Sequence, residues 1–302
     1  MQMRRARTMA VDGVASIKFA TGALAGSKNS QKRPTAARAA AMMTSLTSSL
    51  VLALVAGAAA AELEIVTVGS DITCYESGDA SLPAVIVIQE WWGVTEGIKA
   101  KALKIAGEGY RVIVPDVYKG KVGVNKEEAS HLMSTLDFQN AVAEMSAVAA
   151  YLKATGSPAV GVTGFCMGGA LTMGALAASD DIDCGAPFYG VNFGLFDAAT
   201  LAKPVQGHFG KLDTMAGFSD PATGEKLEGE LVAAGNANAK VYLYDKVGHA
   251  FMNDSPAPFE TFAERERELG FPEHDPDQAA LAWSRLFAFL GTWLKKAASP
   301  EL

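Results

Sequence analysis

Short runs of β-branched and apolar residues alternate with helical segments along most of this chain, and that alternation limits the folds available to it. Two of the runs, Ala84–Ile88 and Arg111–Pro115, are almost continuously apolar, as expected for strands buried on both faces of a sheet. Strands that alternate with helices form a mostly parallel sheet covered by helices on both faces. We therefore predict an α/β fold with about eight strands, as one domain over residues 62–302.

Glycine, serine and aspartate mark the ends of the predicted elements. Gly69 and Ser70 lie at a turn between the first two strands, while Asp137 is expected to cap a helix that Gly156 ends. Further strands are predicted near 63–68, 71–75, 159–163, 184–189, 204–209 and 240–244, and helices near 95–107, 137–154, 223–234, 257–269 and 276–296.

Residues 1–61 differ from the rest of the chain in charge. They contain eight Lys or Arg residues and one acid, Asp12, which is the composition of an organelle transit peptide. The apolar run Leu50–Ala61 ends in small residues, as the core of a signal peptide does, and is shorter than the roughly 20 residues of a membrane-spanning helix. We therefore predict a targeting presequence whose removal leaves no stable membrane anchor.

Several destinations fit such a presequence. A two-part targeting sequence would direct the protein to a plastid and then to the thylakoid lumen, whereas a single targeting sequence would direct it to a plastid or a mitochondrion. The alternatives are an uncleaved tail on a cytoplasmic protein and a misassigned start upstream of Met42.

The remainder of the chain is acidic. Removing the eight bases and one acid of residues 1–61 from the totals of 26 and 33 leaves 18 bases and 32 acids, a formal charge of −14. Such a surface repels phosphate backbones, so we expect no nucleic-acid partner.

The chain has three cysteines, Cys74, Cys166 and Cys184, and no two of them are closely spaced. An odd number at wide spacing argues against a disulfide framework and against a zinc site, so we expect no metal. Cys74 and Cys184 lie in predicted strands and are expected to be core residues. Any thiol chemistry would therefore use one cysteine alone.

Cys166 occupies the sharp turn between a predicted strand and a predicted helix, in the sequence Gly164-Phe-Cys-Met-Gly-Gly169. This is the pattern of a nucleophile elbow, in which glycines flank the strained nucleophile because neighbouring Cβ atoms would collide. The usual nucleophile there is serine, but the dipole at a helix N-terminus also favours a thiolate. The pattern predicts an α/β-hydrolase with Cys166 as its nucleophile; the alternatives are a buried core cysteine and a phosphate-binding loop.

An elbow of this kind requires an acid and then a histidine later in the chain, each at the end of a strand. Asp213 is the first carboxylate after the strand near 204–209, and His249 follows the strand near 240–244. We predict that His249 accepts the thiol proton and that Asp213 orients the imidazole. His208 is expected to pack or to support a loop, and His131 and His274 to be solvated.

Gln89-Glu90-Trp91-Trp92-Gly93 directly follows the central apolar strand. In this fold the loop there supplies one amide of the oxyanion hole, so we expect the backbone N–H of Trp91 to act together with that of Met167. A carboxylate is costly at such a place unless it is paired or used, which makes Glu90 a candidate site residue.

These motifs together resemble the dienelactone hydrolase family. Gln89-Glu90, the stretch Val114–Tyr118, the cysteine elbow, His208-Phe-Gly with Asp213, and Gly248-His-Ala-Phe fall in the family's order over roughly residues 62–297. The resemblance implies a hydrolase of lactones or esters that uses a triad of Cys166, Asp213 and His249 and forms an acyl-enzyme. It also implies that Glu90 helps to deprotonate the thiol, and that neither a metal nor an organic cofactor is needed.

One position departs from the family. Members that cleave dienelactones bind the substrate carboxylate with arginines, one of them four residues after the catalytic histidine, and here that residue is Asn253 with no arginine beside it. Lys119 or Lys121 could supply charge instead. The aromatic pair Trp91 and Trp92 suggests a pocket with an aromatic wall, although one of the two could be a core residue.

We therefore expect a monomeric cysteine hydrolase that acts on a small-molecule lactone or ester. The two alternatives are a redox-responsive thiol on the same scaffold and a catalytically silent binding protein. The first lacks a second cysteine at a suggestive spacing, and the second usually has an incomplete triad.

Overall fold

Eight strands form a single sheet in the computed structural model, which describes residues 62–295. The strands are β1 (Glu64–Val68), β2 (Ile72–Ser77), β3 (Ala84–Ile88), β4 (Arg111–Pro115), β5 (Val160–Phe165), β6 (Cys184–Phe188), β7 (Val205–Gly210) and β8 (Ala239–Tyr244). Their order is β1-β2-β4-β3-β5-β6-β7-β8. β2 is antiparallel to both of its neighbours and the other pairs are parallel, which confirms the predicted α/β fold.

Seven α-helices connect and cover these strands within the described residues. They are α1 (Glu96–Ala106), α2 (Lys126–Ser134), α3 (Phe138–Ala154), α4 (Met167–Ala178), α5 (Pro221–Ala233), α6 (Phe262–Leu269) and α7 (Pro276–Leu290). The Asp137 side chain accepts a hydrogen bond from the amide of Asn140 at 3.0 Å, so α3 begins at the predicted cap. Gly156 has a φ of +124°, which explains why a glycine follows the end of that helix.

Two buried clusters hold the helices against the two faces of the sheet. On one face, α3, α4 and α5 pack residues such as Leu152, Leu176 and Leu231 against β3, β5 and β7. On the other face, α1 and α7 contribute residues such as Ile105 and Leu286. Because both faces are covered, the central strands are apolar at every position, and the functional residues can reach solvent only at the strand ends.

The structure corrects one helix boundary. The helix predicted near 257–269 begins at Phe262, because the Thr261 hydroxyl accepts a hydrogen bond from the Glu264 amide at 3.1 Å and so caps the helix there. Pro256 and Pro258 precede the cap, and proline restricts both itself and the residue before it.

The predicted presequence, residues 1–61, lies outside the described residues, as do residues 296–302. Within residues 62–295, no helix has both the length and the apolar character needed to cross a membrane.

Candidate active site

The carboxyl ends of the central parallel strands meet at one edge of the sheet, and the predicted site residues follow those strand ends. Glu90 lies after β3, Cys166 after β5, Asp213 after β7 and His249 after β8. All four side chains are buried or nearly so. In open α/β sheets this edge is where sites form, so the topology alone brings these four residues to one region.

Cys166 stands between β5 and α4 with a φ of +56°, an uncommon value for a residue other than glycine. Glycines make this turn possible. A Cβ on Gly164 would lie 2.2 Å from the Gly168 carbonyl oxygen, and one on Gly168 would lie 2.5 Å from the carbonyl oxygens of Ile88 and Gln89. The flanking glycines are therefore sterically required, as the sequence predicted.

Cys166, His249 and Asp213 form a continuous hydrogen-bonded row. Nε2 of His249 lies 3.0 Å from Sγ of Cys166, and Nδ1 lies 2.8 Å from Oδ2 of Asp213. The other oxygen of Asp213 accepts a hydrogen bond from the Met215 amide at 3.0 Å, which holds the carboxylate in place. Ser219 Oγ is 3.0 Å from the same Nδ1 atom. A thiol, a base and an orienting acid thus occupy the relative positions that nucleophilic catalysis requires.

The imidazole of His249 is buried among aromatic rings. The rings of Phe271 and Tyr189 lie 4.6 Å and 5.2 Å from it, measured between centroids. Burial lowers the pKa of His249, but the charge on Cys166 and the hydrogen bond to Asp213 raise it more, so that the pKa rises to about 10. The environment therefore favours the imidazolium form of His249.

Glu90 does not contact the sulfur in this structure. Its carboxylate accepts hydrogen bonds from the hydroxyl of Tyr189 at 3.0 Å and from the Asn253 amide at 2.9 and 3.2 Å. Burial and the charge of Glu90 raise the pKa of Tyr189 well above its ordinary value, so the phenol stays protonated and donates. Glu90 is therefore held next to the row of Cys166, His249 and Asp213 by two neutral donors.

Two buried cations lie near this carboxylate, and the sequence alone predicted neither of them. Lys101 on α1 donates to the side-chain oxygen Oδ1 of Asn253 at 2.6 Å and is 6% exposed. Arg265 on α6 is 3% exposed and donates to the Pro272 carbonyl oxygen at 2.7 Å. Burial lowers the pKa of both groups, while the charge of Glu90 opposes that shift. Thus the positive charge that is missing at position 253 is supplied by Lys101, which lies 152 residues away in the chain, and by Arg265.

The two amides proposed for the oxyanion hole are unoccupied by other partners. Within residues 62–295, neither the Trp91 nor the Met167 N–H donates a hydrogen bond. Met167 begins α4, where the first N–H groups of a helix have no intrahelical acceptor. Both amides are therefore available to a substrate oxygen.

The two tryptophans differ in environment. Trp92 is buried and its ring lies 6.1 Å from that of Phe259, whereas Trp91 is half-buried. Trp92 is accordingly the core residue of the pair. Lys119 and Lys121 are both exposed and contact none of the four site residues.

The other histidines have structural environments. His208 is fully buried, stacks on Phe188 at 4.1 Å and pairs with the hydroxyl of Tyr244 at 2.7 Å. Burial and the charge of Arg285 lower the pKa of His208 to about 3, which agrees with the packing role predicted for it. His131 is exposed. His274 was expected to be solvated, but it is half-buried and lies 3.1 Å from the Phe251 carbonyl oxygen.

The remaining thiols are core residues, as predicted. Cys74 and Cys184 are fully buried, and burial raises the pKa of Cys74 to about 12 and that of Cys184 further. Neither is suited to form a thiolate. In the part of the chain that the structure describes, no three His, Cys, Asp or Glu side chains are arranged to hold a metal ion.

Comparison with known proteins identifies relatives over most of the described region. The sequence profile of the dienelactone hydrolase family matches residues 71–294. Protein usf of Aquifex pyrophilus is 31% identical over 224 residues, which are 70% of this chain and 89% of that protein. An Aquifex aeolicus protein named "Putative carboxymethylenebutenolidase" is 28% identical over 225 residues, with the same two coverages.

A solved structure has the same fold. The crystal structure of a "Putative Dienelactone Hydrolase" from Klebsiella pneumoniae covers 78% of this chain and 100% of its own, with a TM-score of 0.63 and 24% identity.

Proposed function

The chain belongs to the dienelactone hydrolase family and is a hydrolase of carboxylic ester or lactone bonds, and on that basis we propose that Cys166 is its nucleophile. Its substrate is a small molecule that contains such a bond. Asp213 and His249 complete the proposed triad, Glu90 assists it, and the amides of Trp91 and Met167 form the oxyanion hole.

The reaction has two steps. In the first, the thiolate of Cys166 bonds to the carbonyl carbon and the oxygen takes up the negative charge, facing the two free amides. The ester C–O bond then breaks, and the leaving oxygen receives the proton held by His249, which leaves a thioester on Cys166. In the second, His249 takes a proton from water, the hydroxide adds to the thioester carbonyl, and the acid departs as the thiolate re-forms.

One observation carries this proposal: the row from Sγ to Nε2 at 3.0 Å and from Nδ1 to Oδ2 at 2.8 Å. Both distances fall within hydrogen-bond reach for a nucleophile and its base. The position of the sulfur at the start of α4 adds the favourable helix dipole. A thiol that served only for packing would need neither an imidazole nor a strained backbone.

Glu90 has an assisting role in this proposal. When the Cys166 side chain rotates away from His249, the carboxylate of Glu90 accepts the thiol proton. The hydrogen bonds from Tyr189 and Asn253 hold Glu90 ready for that step.

Substitution of the nucleophile tests the proposal. We expect Cys166→Ala in the full-length chain to abolish turnover of an activated aryl ester while the far-ultraviolet circular dichroism spectrum is unchanged. Cys74→Ala, which removes a buried thiol outside the site, should keep most of the activity and serves as the matched control. Undiminished turnover in Cys166→Ala would show that another group attacks the ester.

We also propose that residues 1–61 direct the protein to an organelle and are then removed, and that the processed enzyme is a monomer. The basic, acid-poor composition and the apolar run before Glu62 support a targeting role for residues 1–61. Amino-terminal sequencing of the protein from cells should find a start near Glu62. A start at Met1 in the cellular protein would contradict it.

A further inference from the structure

A cavity of about 620 Å³ opens beside the proposed nucleophile. It lies between the end of α2, the start of α3, the first turn of α4 and the loops that follow β6 and β7. Its walls are mainly large apolar side chains: Met133, Leu136, Phe138, Val191, Phe193 and Phe218. This volume lies within the range of small-molecule sites.

The cavity adjoins the reacting atoms without including them, because neither Cys166 nor His249 lines it. Met167, whose amide is one of the two oxyanion donors, lines the cavity and directly follows Cys166. The ring of Phe218 lies 6.2 Å from the ring of His249, also between centroids. An ester carbonyl placed on the sulfur, with its oxygen at the Met167 amide, would therefore direct one of its two substituents into this cavity.

The cavity contains no charged group. Each of its twelve lining residues is uncharged, and the polar side chains among them, Ser134 and Asn192, are exposed at its rim. Neither of the buried cations near Glu90, Lys101 and Arg265, lines this cavity. Lys101 donates to Asn253, whereas Arg265 donates one hydrogen bond to a backbone carbonyl and keeps Nε and Nη1 without a partner. A carboxylate in the cavity would be desolvated without a partner, which is strongly unfavourable.

A second cavity nearby has the opposite character. It has a volume of about 280 Å³ and is lined by charged side chains that include Lys119, Lys121, Asp137 and Glu144. Thr135 lies on its wall, one residue after Ser134, so two adjacent exposed positions at the end of α2 face different cavities.

We propose that the larger cavity binds the uncharged, apolar substituent of the ester, so that the enzyme selects neutral esters with an extended aliphatic or aromatic group. This inference rests on the proposed cysteine mechanism, since it places the cavity by reference to Cys166. The proposal gives residues of α2, α3 and the 191–194 loop a role in substrate specificity. These residues line the cavity and are not members of the triad.

A series of esters matched in length tests the inference. The hydrolysis of p-nitrophenyl acetate, p-nitrophenyl hexanoate and the p-nitrophenyl monoester of adipic acid should be compared on the full-length enzyme. Each buried methylene favours binding roughly fourfold, so we expect kcat/KM to rise about tenfold or more from acetate to hexanoate. The terminal carboxylate of the adipate ester should remove that gain. A parallel series of acetate esters of alcohols of increasing length detects binding of the alcohol group instead.

Two substitutions at the rim connect the selectivity to this cavity. Ser134→Trp and Asn192→Trp each place an indole at its mouth and should lower the ratio of kcat/KM for hexanoate to kcat/KM for acetate, which removes the preference for the longer ester. Thr135→Trp adds the same side chain next to Ser134 but faces the charged cavity, so it should keep the preference.

These experiments distinguish a failure of the cavity inference from a failure of the proposed cysteine mechanism. The inference is wrong if the longer ester is not preferred in either series, or if the preference persists in both rim variants. In either case, acetate hydrolysis that is lost in Cys166→Ala still supports the cysteine mechanism. If Cys166→Ala hydrolyses acetate like the wild type, the proposed mechanism itself is wrong.

Discussion

The contact between His249 and Cys166 is the central feature at the residue scale. The pKa of His249 is raised to about 10 despite burial, and the charge on Cys166 is the largest of the raising influences. A raised pKa means that the imidazolium keeps its proton to higher pH than an ordinary histidine. His249 therefore holds a proton 3.0 Å from the sulfur at pH values where an ordinary histidine has lost it.

Removing the sulfur should change this titration. In Cys166→Ala the main raising influence is lost, so we expect the pKa of His249 to fall and its imidazolium to lose the proton at lower pH than in the wild type. Imidazole nuclear magnetic resonance signals followed from about pH 5 to about pH 11 measure both values. An unchanged pKa for His249 would contradict the coupling.

The positions of individual site residues were predictable from the sequence where they follow from the order of residues along the chain. Asp213 and His249 follow strand ends in the order that an elbow requires, so the sequence sufficed to place them. Lys101 could not be found in this way, because a lysine on an amphipathic helix normally indicates a solvated face. Arg265 lies in the charged stretch Glu264–Glu268, where its burial depends entirely on tertiary packing.

The turn between β5 and α4 is the critical feature at the scale of secondary-structure elements. It turns the chain sharply at Cys166 and brings α4 so close to the end of β3 that Gly168 touches two backbone carbonyl oxygens there. Those oxygens belong to Ile88 and Gln89, directly before Glu90. The elbow therefore positions Cys166 and the neighbouring carboxylate of Glu90 together.

A side chain at position 168 should push Cys166 and Glu90 apart. In Gly168→Ala, a Cβ would lie 2.5 Å from backbone oxygen atoms that cannot rotate away, so we expect a loss of about 2 kcal/mol or more in unfolding free energy and a large loss of kcat. Gly229→Ala is the matched control, since that helical glycine has open space around it and should stabilise the protein by about 0.5 to 1 kcal/mol. Urea unfolding and ester turnover measure both effects; equal behaviour of the two variants would refute the steric argument.

Most element boundaries agreed with the sequence, and the exception has a local cause. The helix near 257–269 was predicted five residues too long, because its apolar pattern extends upstream of the cap at Thr261. A capping threonine is a weak signal when several polar residues precede the helix.

The two covered faces of the sheet determine stability at the scale of the whole molecule. Ile86 lies at the centre of β3, is fully buried and belongs to the cluster under α3 and α4. Ile65 lies on the edge strand β1 and is 69% exposed. The same residue type thus occurs at opposite extremes of burial in one sheet.

These two isoleucines should respond differently to truncation. We expect Ile86→Ala to lower the free energy of unfolding by about 2 to 5 kcal/mol, because it leaves a cavity in a packed core. Ile65→Ala should change it by no more than about 0.5 kcal/mol. Urea denaturation of both variants in parallel checks this expectation, and similar losses would mean that the sheet is not covered on both faces.

The fold class was predictable from the alternating pattern, whereas the order of the strands in the sheet was not. Patterning identifies the apolar central strands, whereas the pairing β2-β4-β3-β5 depends on crossovers that no local signal encodes. For the same reason the apolar cavity beside Met167 was not foreseen. Its walls come from four separate segments of the chain between residues 133 and 218.

The most direct test of the central claim is to trap the covalent intermediate. Full-length enzyme mixed with an excess of an activated p-nitrophenyl ester and quenched in acid should gain the mass of one acyl group, located by peptide mapping on Cys166 as a thioester. Asp213→Asn, in which His249 is held less well for the second step, provides a variant with slowed turnover. An acyl group found on another residue, or turnover with none on Cys166 at any quench time, would contradict the account.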